Sequence, residues 1–242
     1  MSNRFFSSHR LQTATQVMLD PLECHHLINV LRVKVGDQIE LFDGSGYIFE
    51  SEIREVTRNS VTVSVQSKEF VDRELGHQLV VGIPTPKGDR QKFLVEKLTE
   101  LGVTRLILLE TTRSSVKANG KTVEKLCRAV IEASKQCGRN RLMQIDGPLP
   151  LTQINTIQEL QKPGFEKMFT HLCRDLKTSW LPTSTCNKVV LIGPEGGLAN
   201  EQTEFLKTHD WKPISLGKAT LRMETAAIAS AALLGNGLAA SH

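Results

Sequence analysis

Hydrophobic and polar positions alternate without a fault through Ser60-Val61-Thr62-Val63-Ser64-Val65, and again over Gln38-Ile39-Glu40-Leu41. A period of two gives a strand one wet and one buried face. Turn-forming residues punctuate these runs at Asp43-Gly44-Ser45-Gly46 and at Arg58-Asn59, and Cys24 to Leu31 reads as one short helix ahead of them. The pattern predicts a small β-barrel of roughly 70 residues. From Gln78 onward the rhythm becomes apolar strands alternating with helices, as in a parallel α/β sheet. Strands are expected at Leu79–Ile83, Arg105–Leu109, Lys167–His171, Lys188–Ile192 and Ile214–Leu216. Helices are expected at Asp89–Leu101, Lys121–Cys137, Glu201–Lys207 and Glu224–Leu238, the first two closed by Gly102 and Gly138. With a boundary between Val71 and Gly76, the expected domains are residues 1–73 and 74–242.

Composition narrows the class. The 242 residues are 40% hydrophobic and 23% charged, ordinary for a soluble globular protein. No run approaches the roughly 18 apolar residues of a membrane span, and Met1 to Arg10 lacks an apolar signal core, so the default expectation is cytoplasmic. Five cysteines, odd in number and without a Cys-x-x-Cys pair, indicate neither a disulfide framework nor zinc, and no metal is expected. The net charge of +4 is unevenly spread. Residues 1–75 hold 8 Lys/Arg against 11 Asp/Glu, whereas residues 87–141 hold 13 against 6. A local basic surplus suits a polyanion, although a solvated helix surface would account for it equally.

Three constellations could carry chemistry. The strand ending at Ile192 runs into Gly193-Pro194-Glu195-Gly196-Gly197, a loop whose backbone can approach a ligand closely at the carboxyl end of a strand. It could also be a plain strand-to-helix turn. It is neither a Walker loop nor a Gly-x-Gly-x-x-Gly fingerprint, which disfavours phosphate cofactors. A second loop, Leu216 to Thr225, places Arg222, Glu224 and Thr225 at a helix start, where capping or an ion pair would also explain them. Third, Arg128, Glu132, Gln136 and Arg139 recur on one helix face, free to meet a partner or solvent. Lys87-Gly88-Asp89-Arg90 at a helix start could hold phosphate, Thr112-Arg113-Ser114-Ser115 follows another strand, and His25-His26 reads as structural.

Taken together, Arg4-Phe5-Phe6, His26 to Arg32, Gly36-Asp37, Lys87 to Arg90, Lys97 to Val103, Gln136 to Arg139, Leu191 to Gly197 and Leu221 to Ala227 resemble one family across nearly the whole chain. The chain is similar to the bacterial 16S rRNA uridine N3-methyltransferases of the SPOUT superfamily. That resemblance implies a PUA-like RNA-binding β-barrel followed by an α/β domain with a deep trefoil knot, a homodimer, and S-adenosyl-L-methionine held in the knot. It implies methylation of N3 of one uridine, position 1498 in 16S rRNA numbering, on the assembled 30S subunit.

Carried over, His171, Ile192, Gly193, Pro194, Gly196, Gly197, Leu216, Gly217, Leu221, Thr225 and Ala226 would hold the cofactor. Lys87, Arg90, Arg113, Arg128, Gln136 and Arg139 would face RNA. Arg222 would stabilise the developing uridine anion, and Glu224 or Glu132 would assist removal of the N3 proton. Lys218-Ala219-Thr220 departs from the family pattern. The competing readings are a SPOUT methyltransferase acting on tRNA or a ribose hydroxyl, and a non-catalytic RNA-binding or ribosome-assembly factor.

Overall fold

The computed structural model describes residues 3–114, 116, 118–171 and 186–235. The chain divides into two compact units, Met1–Glu74 with Ile131–Leu142, and Leu75–Val130 with Met143–His242.

The first unit is built on strands β1 (Arg4–Phe6), β2 (Gln16–Met18), β3 (Gln38–Phe42), β4 (Tyr47–Val56) and β5 (Val61–Phe70), in the order β1-β3-β4-β5-β2. Only β1 and β3 run parallel. The alternation read in β5 becomes burial: Val61 and Val63 are inaccessible and pack with Phe5, Leu41, Phe49 and Ile53, so four strands meet one core and Val17 of β2 packs against it. The expected helix over Cys24 to Leu31 is corrected. An α-helix α1 (Pro21–His25) starts three residues earlier with proline at its head, where the missing N–H costs nothing. His26–Leu31 then widens into a π-type turn that ends at Arg32 with φ of 54°.

The segment Ile131–Leu142, assigned from sequence to the second domain, instead clusters with the first unit. Polar contacts account for it. Arg4 Nη2 donates to the Arg139 carbonyl at 2.6 Å and to Asn140 Oδ1 at 2.5 Å, and Asn140 Nδ2 donates to the Val71 carbonyl at 2.8 Å. Lys135 meets Glu23 at 2.9 Å with both side chains largely buried.

The second unit holds a six-stranded sheet of β6 (Leu79–Pro84), β7 (Arg105–Glu110), β8 (Gln144–Pro150), β9 (Phe165–Thr170), β10 (Asn187–Leu191) and β11 (Lys212–Ile214). All its pairings are parallel, in the order β11-β9-β10-β6-β7-β8. Every residue of β6 is buried, as a strand covered on both faces requires. Gly82 permits that packing, because a Cβ there would stand 2.5 Å from Leu191 Cδ2 and 3.2 Å from Leu109 Cδ1. The helices are α2 (Arg90–Glu100), α3 (Gly120–Cys137), α4 (Asn200–Thr208) and α5 (Met223–Gly235). The end expected for the last helix, residues 236–238, lies outside the described residues.

Two strand expectations change. β8 has no counterpart in the sequence reading: Gly147, Pro148 and Pro150 interrupt it, and a strand so built is tolerated only at a sheet edge, where it lies. β11 ends at Ile214 rather than beginning there, because the chain from Ser215 turns away to line a cavity.

Candidate active site

Strands β11, β9 and β10 are neighbours and parallel, so their carboxyl ends open on the same edge of the sheet. After β9, the His171 N–H donates to the Ile214 carbonyl at 2.9 Å, fixing that residue against β11. After β10, the Ile192 N–H donates to the Gly82 carbonyl at 2.7 Å, and the chain then folds back at Gly197, whose N–H donates to the Pro194 carbonyl at 2.8 Å. Gly197 has φ of 69° and Gly217, beyond β11, has φ of 137°, conformations in which other residues are strained.

The end of β9 and the loops after β10 and β11 line a cavity of about 290 Å³, close to the lower end of the range typical of small-molecule sites. His171, Ile192, Gly193, Pro194, Gly196, Gly197, Leu216, Gly217, Leu221 and Ala226 all line it. Thr225 does not; it is exposed on the first turn of α5, one residue out of phase with Ala226. A Cβ built on Gly197 or Gly217 would meet nothing within 4 Å, so bare backbone can approach a ligand there. Apolar walls from Ile192, Leu216, Leu221 and Ala226 beside backbone polar groups suit a flat heteroaromatic ligand with polar edges, such as an adenosine. The residues present therefore fit an S-adenosylmethionine-type cofactor. Among the described residues no cluster of His, Cys, Asp or Glu could hold a metal ion.

A second, smaller cavity of about 40 Å³ adjoins the first. It lies where β6 and β7 end, is lined by Thr85, Lys87, Arg113 and Ser114, and shares Pro194, Glu195 and Met223 with the larger one. Arg113 Nη1 donates to the Gly196 carbonyl at 2.7 Å. Arg90 stands between two carboxylates, its Nη1 3.4 Å from Glu195 and its Nε 3.2 Å from Glu224. Thus Lys87, Arg90 and Arg113, expected to meet RNA, are gathered against the glycine loop. Glu224 is buried at the start of α5 and lines neither cavity. Arg222 is exposed between Leu221 and Met223, both of which line the larger cavity.

The expected polar row on α3 breaks up. Arg128, Glu132 and Gln136 are exposed, Arg128 in the second unit and the other two in the stretch that clusters with the first. Glu132 pairs with Lys135 at 3.3 Å. Arg139 is corrected: it is 4% exposed, and its Nε and Nη2 both bond the Glu74 carboxylate, so it holds the first unit together rather than facing RNA. One residue went unselected in the sequence. Glu195 lines both cavities, and it is the only charged side chain in the Gly193 to Gly197 loop, a signal that was available.

An RNA methyltransferase domain family matches residues 73–235, and an RNA methyltransferase PUA domain family matches residues 22–66. A Rickettsia conorii protein named ribosomal RNA small subunit methyltransferase E is 30% identical, over 95% of this chain and 93% of its own. The chain belongs to the ribosomal RNA small subunit methyltransferase E family. Another structure of this family, from Neisseria gonorrhoeae and bound to S-adenosyl methionine, superposes with a TM-score of 0.81 at 26% identity over 96% of both chains. A Legionella pneumophila protein, solved in complex with the bound cofactor SAM, gives a TM-score of 0.83 at 30% identity over 97% of both chains. No described helix is long and apolar enough to cross a membrane.

Proposed function

We propose that this protein is an S-adenosylmethionine-dependent methyltransferase that modifies N3 of one uridine in 16S rRNA, at position 1498 in 16S numbering, on the assembled 30S subunit. The observation that carries the reading is the cavity lined by Thr170 and His171 at the end of β9 and by the loops after β10 and β11, in a chain of this family. The same reading makes the first unit the RNA-binding domain, the second the catalytic domain with its knotted chain, and the working form a cytoplasmic homodimer. The all-parallel order β11-β9-β10-β6, in which β10 lies between β9 and β6, supports this reading.

When bound, S-adenosylmethionine supplies a methyl already activated by the sulfonium charge. What remains for the chain is to grip, to orient and to remove a proton. The loops at Gly193 to Gly197 and Leu216-Gly217 bring backbone against the donor, and Ile192, Leu216 and Leu221 exclude water from it. Arg222, exposed at the rim, is assigned to the uridine and its developing charge. Positioning alone supplies a large part of such a rate, since holding two reactants in contact removes much of the entropic barrier.

The test is transfer of labelled methyl from S-adenosylmethionine to small subunits lacking the modification, with the product nucleoside identified. N3-methyluridine at a single site is the expected product. Tight cofactor binding with no transfer to subunits or free 16S rRNA would overturn the substrate, and transfer to tRNA would replace it.

A further inference from the structure

We propose that Glu195 is the group that takes the N3 proton of the acceptor uridine, and that Lys87 and Arg113 stabilise the anion left behind. The proposal rests on the reading of the previous subsection and adds the acceptor site to it. Two cavities adjoin at the glycine loop, and Glu195 is the only carboxylate among the described residues lining either of them. The larger cavity fits the methyl donor. The acceptor atom must then lie where the smaller cavity meets it, at Pro194, Glu195 and Met223.

The size and lining of the smaller cavity match one edge of a uracil. Its volume of about 40 Å³ corresponds to roughly three water-sized sites, at about 10–15 Å³ each. That is room for the O2–N3–O4 edge and leaves the rest of the ring outside. Lys87 and Arg113 reach this cavity from the ends of β6 and β7, and Thr85 and Ser114 add hydroxyls. When the N3–H bond breaks, its proton passes to the Glu195 carboxylate and the electron pair stays on N3, delocalised onto O2 and O4, the atoms the two cations would face. That pair then forms the N3–CH3 bond as the C–S bond breaks, and the pair of the broken bond neutralises the sulfonium to a thioether.

The other acidic candidates are less well placed. Glu224 has one carboxylate oxygen held by Arg90 and the other buried, and it lines neither cavity. Glu132 is exposed, belongs with the first unit and pairs with Lys135. Glu195 is accessible, its side chain 63% exposed, and Arg90 steadies it from one side at 3.4 Å. Among the described residues, the charged or titratable groups around it are Arg90, Glu224 through Arg90, Lys87 and Arg113 in the smaller cavity, and His171 in the larger.

The experiment compares Glu195→Gln and Glu195→Asp with the unaltered protein in three measurements: cofactor affinity by calorimetry, affinity for unmodified small subunits, and the single-turnover rate from pH 6 to 9.5. For Glu195→Gln, both affinities are expected to stay within about threefold, while the rate at neutral pH falls by about 100-fold or more, the scale of a lost general base. That residual rate should climb with pH as solvent ionises the uridine unaided, and Glu195→Asp should retain an intermediate rate. A Glu195→Gln rate equal to that of the unaltered protein would overturn the proposal, as would a loss matched by lost cofactor affinity. A product other than N3-methyluridine from the unaltered protein would overturn the underlying reading instead, and that result is read without any variant.

Discussion

The Arg113 guanidinium, at the end of β7, donates to the Gly196 carbonyl at 2.7 Å across 83 positions of sequence. The bond ties the glycine loop after β10 to the chain that follows β7, two strands away in the sheet, so a residue expected to meet RNA also shapes the cavity proposed for the cofactor. Removing it frees the loop without emptying the cavity. Arg113→Ala is expected to weaken S-adenosylmethionine binding about three- to tenfold, since a charge-assisted bond contributes about 1.5–3 kcal/mol when shielded and less at an exposed position such as this. Calorimetric titration of the cofactor checks it. Arg113→Lys should restore only part of the loss, because an ammonium lacks the planar fork that reaches past the loop edge.

Arg90 and Glu224 form an asymmetric pair, the arginine side chain 43% exposed and the carboxylate 8%. Arg90→Ala leaves a buried carboxylate without this partner at the start of α5, whereas Glu224→Gln in addition leaves a neutral amide, which costs less to bury than a charge. The single variant should lose about 1–2 kcal/mol, less than a fully buried pair because water reaches the arginine. Arg90→Ala combined with Glu224→Gln should be less destabilised than the sum of the two single changes. Urea unfolding of the four proteins measures the coupling.

His77 introduces a pH dependence of stability. Burial and the nearby Lys188 ammonium hold its imidazole below the ordinary histidine range, and its Nε2–H donates to the Leu234 carbonyl at 3.0 Å near the end of α5. Between the lowered folded value and the unfolded value of about 6.5, the unfolded chain binds a proton that the folded chain does not. Stability therefore falls as pH drops below about 6.5 and levels off below the folded value. His77→Gln keeps a donor for Leu234 and should remove this acid-side loss. Urea unfolding at pH 7.5 and at pH 5.5 for both proteins is the measurement, and an unchanged difference between the two pH values would count against the assignment.

Periodicity made the strands legible where burial follows a simple rule, on one face in β5 and on both faces in β6 and β7. The same rule placed the Gly193 to Gly197 and Leu216-Gly217 loops at strand ends, which is why so many of the residues expected to hold the cofactor line one cavity. β8 was illegible because an edge strand interrupted by prolines has neither alternation nor an apolar run. Partner choice was also beyond a periodic argument. Helical spacing can group Arg139 with Arg128, but it cannot reveal that Glu74, 65 positions away, takes its guanidinium. Glu195 is illegible for another reason: in a run of glycines and proline the pattern speaks for backbone conformation and says nothing of where the one charged side chain lies.

Arg139 separates a structural arginine from an RNA-facing one. It is 4% exposed and its two nitrogens bond both oxygens of Glu74, while its carbonyl accepts from Arg4 at 2.6 Å. Arg139→Ala leaves Glu74 unpaired in a largely buried setting and should cost about 3–5 kcal/mol, the scale for breaking a buried pair. Glu74→Gln keeps an acceptor for the guanidinium and should cost less. The deciding comparison is between stability and RNA affinity. If Arg139 acts through Glu74, urea unfolding shifts for both variants, and binding of 16S rRNA, measured well below the unfolding midpoint, keeps its salt dependence. An arginine that neutralises a phosphate would instead reduce the slope of log affinity against log salt by about one unit, and it would do so for Arg139→Ala but not for Glu74→Gln.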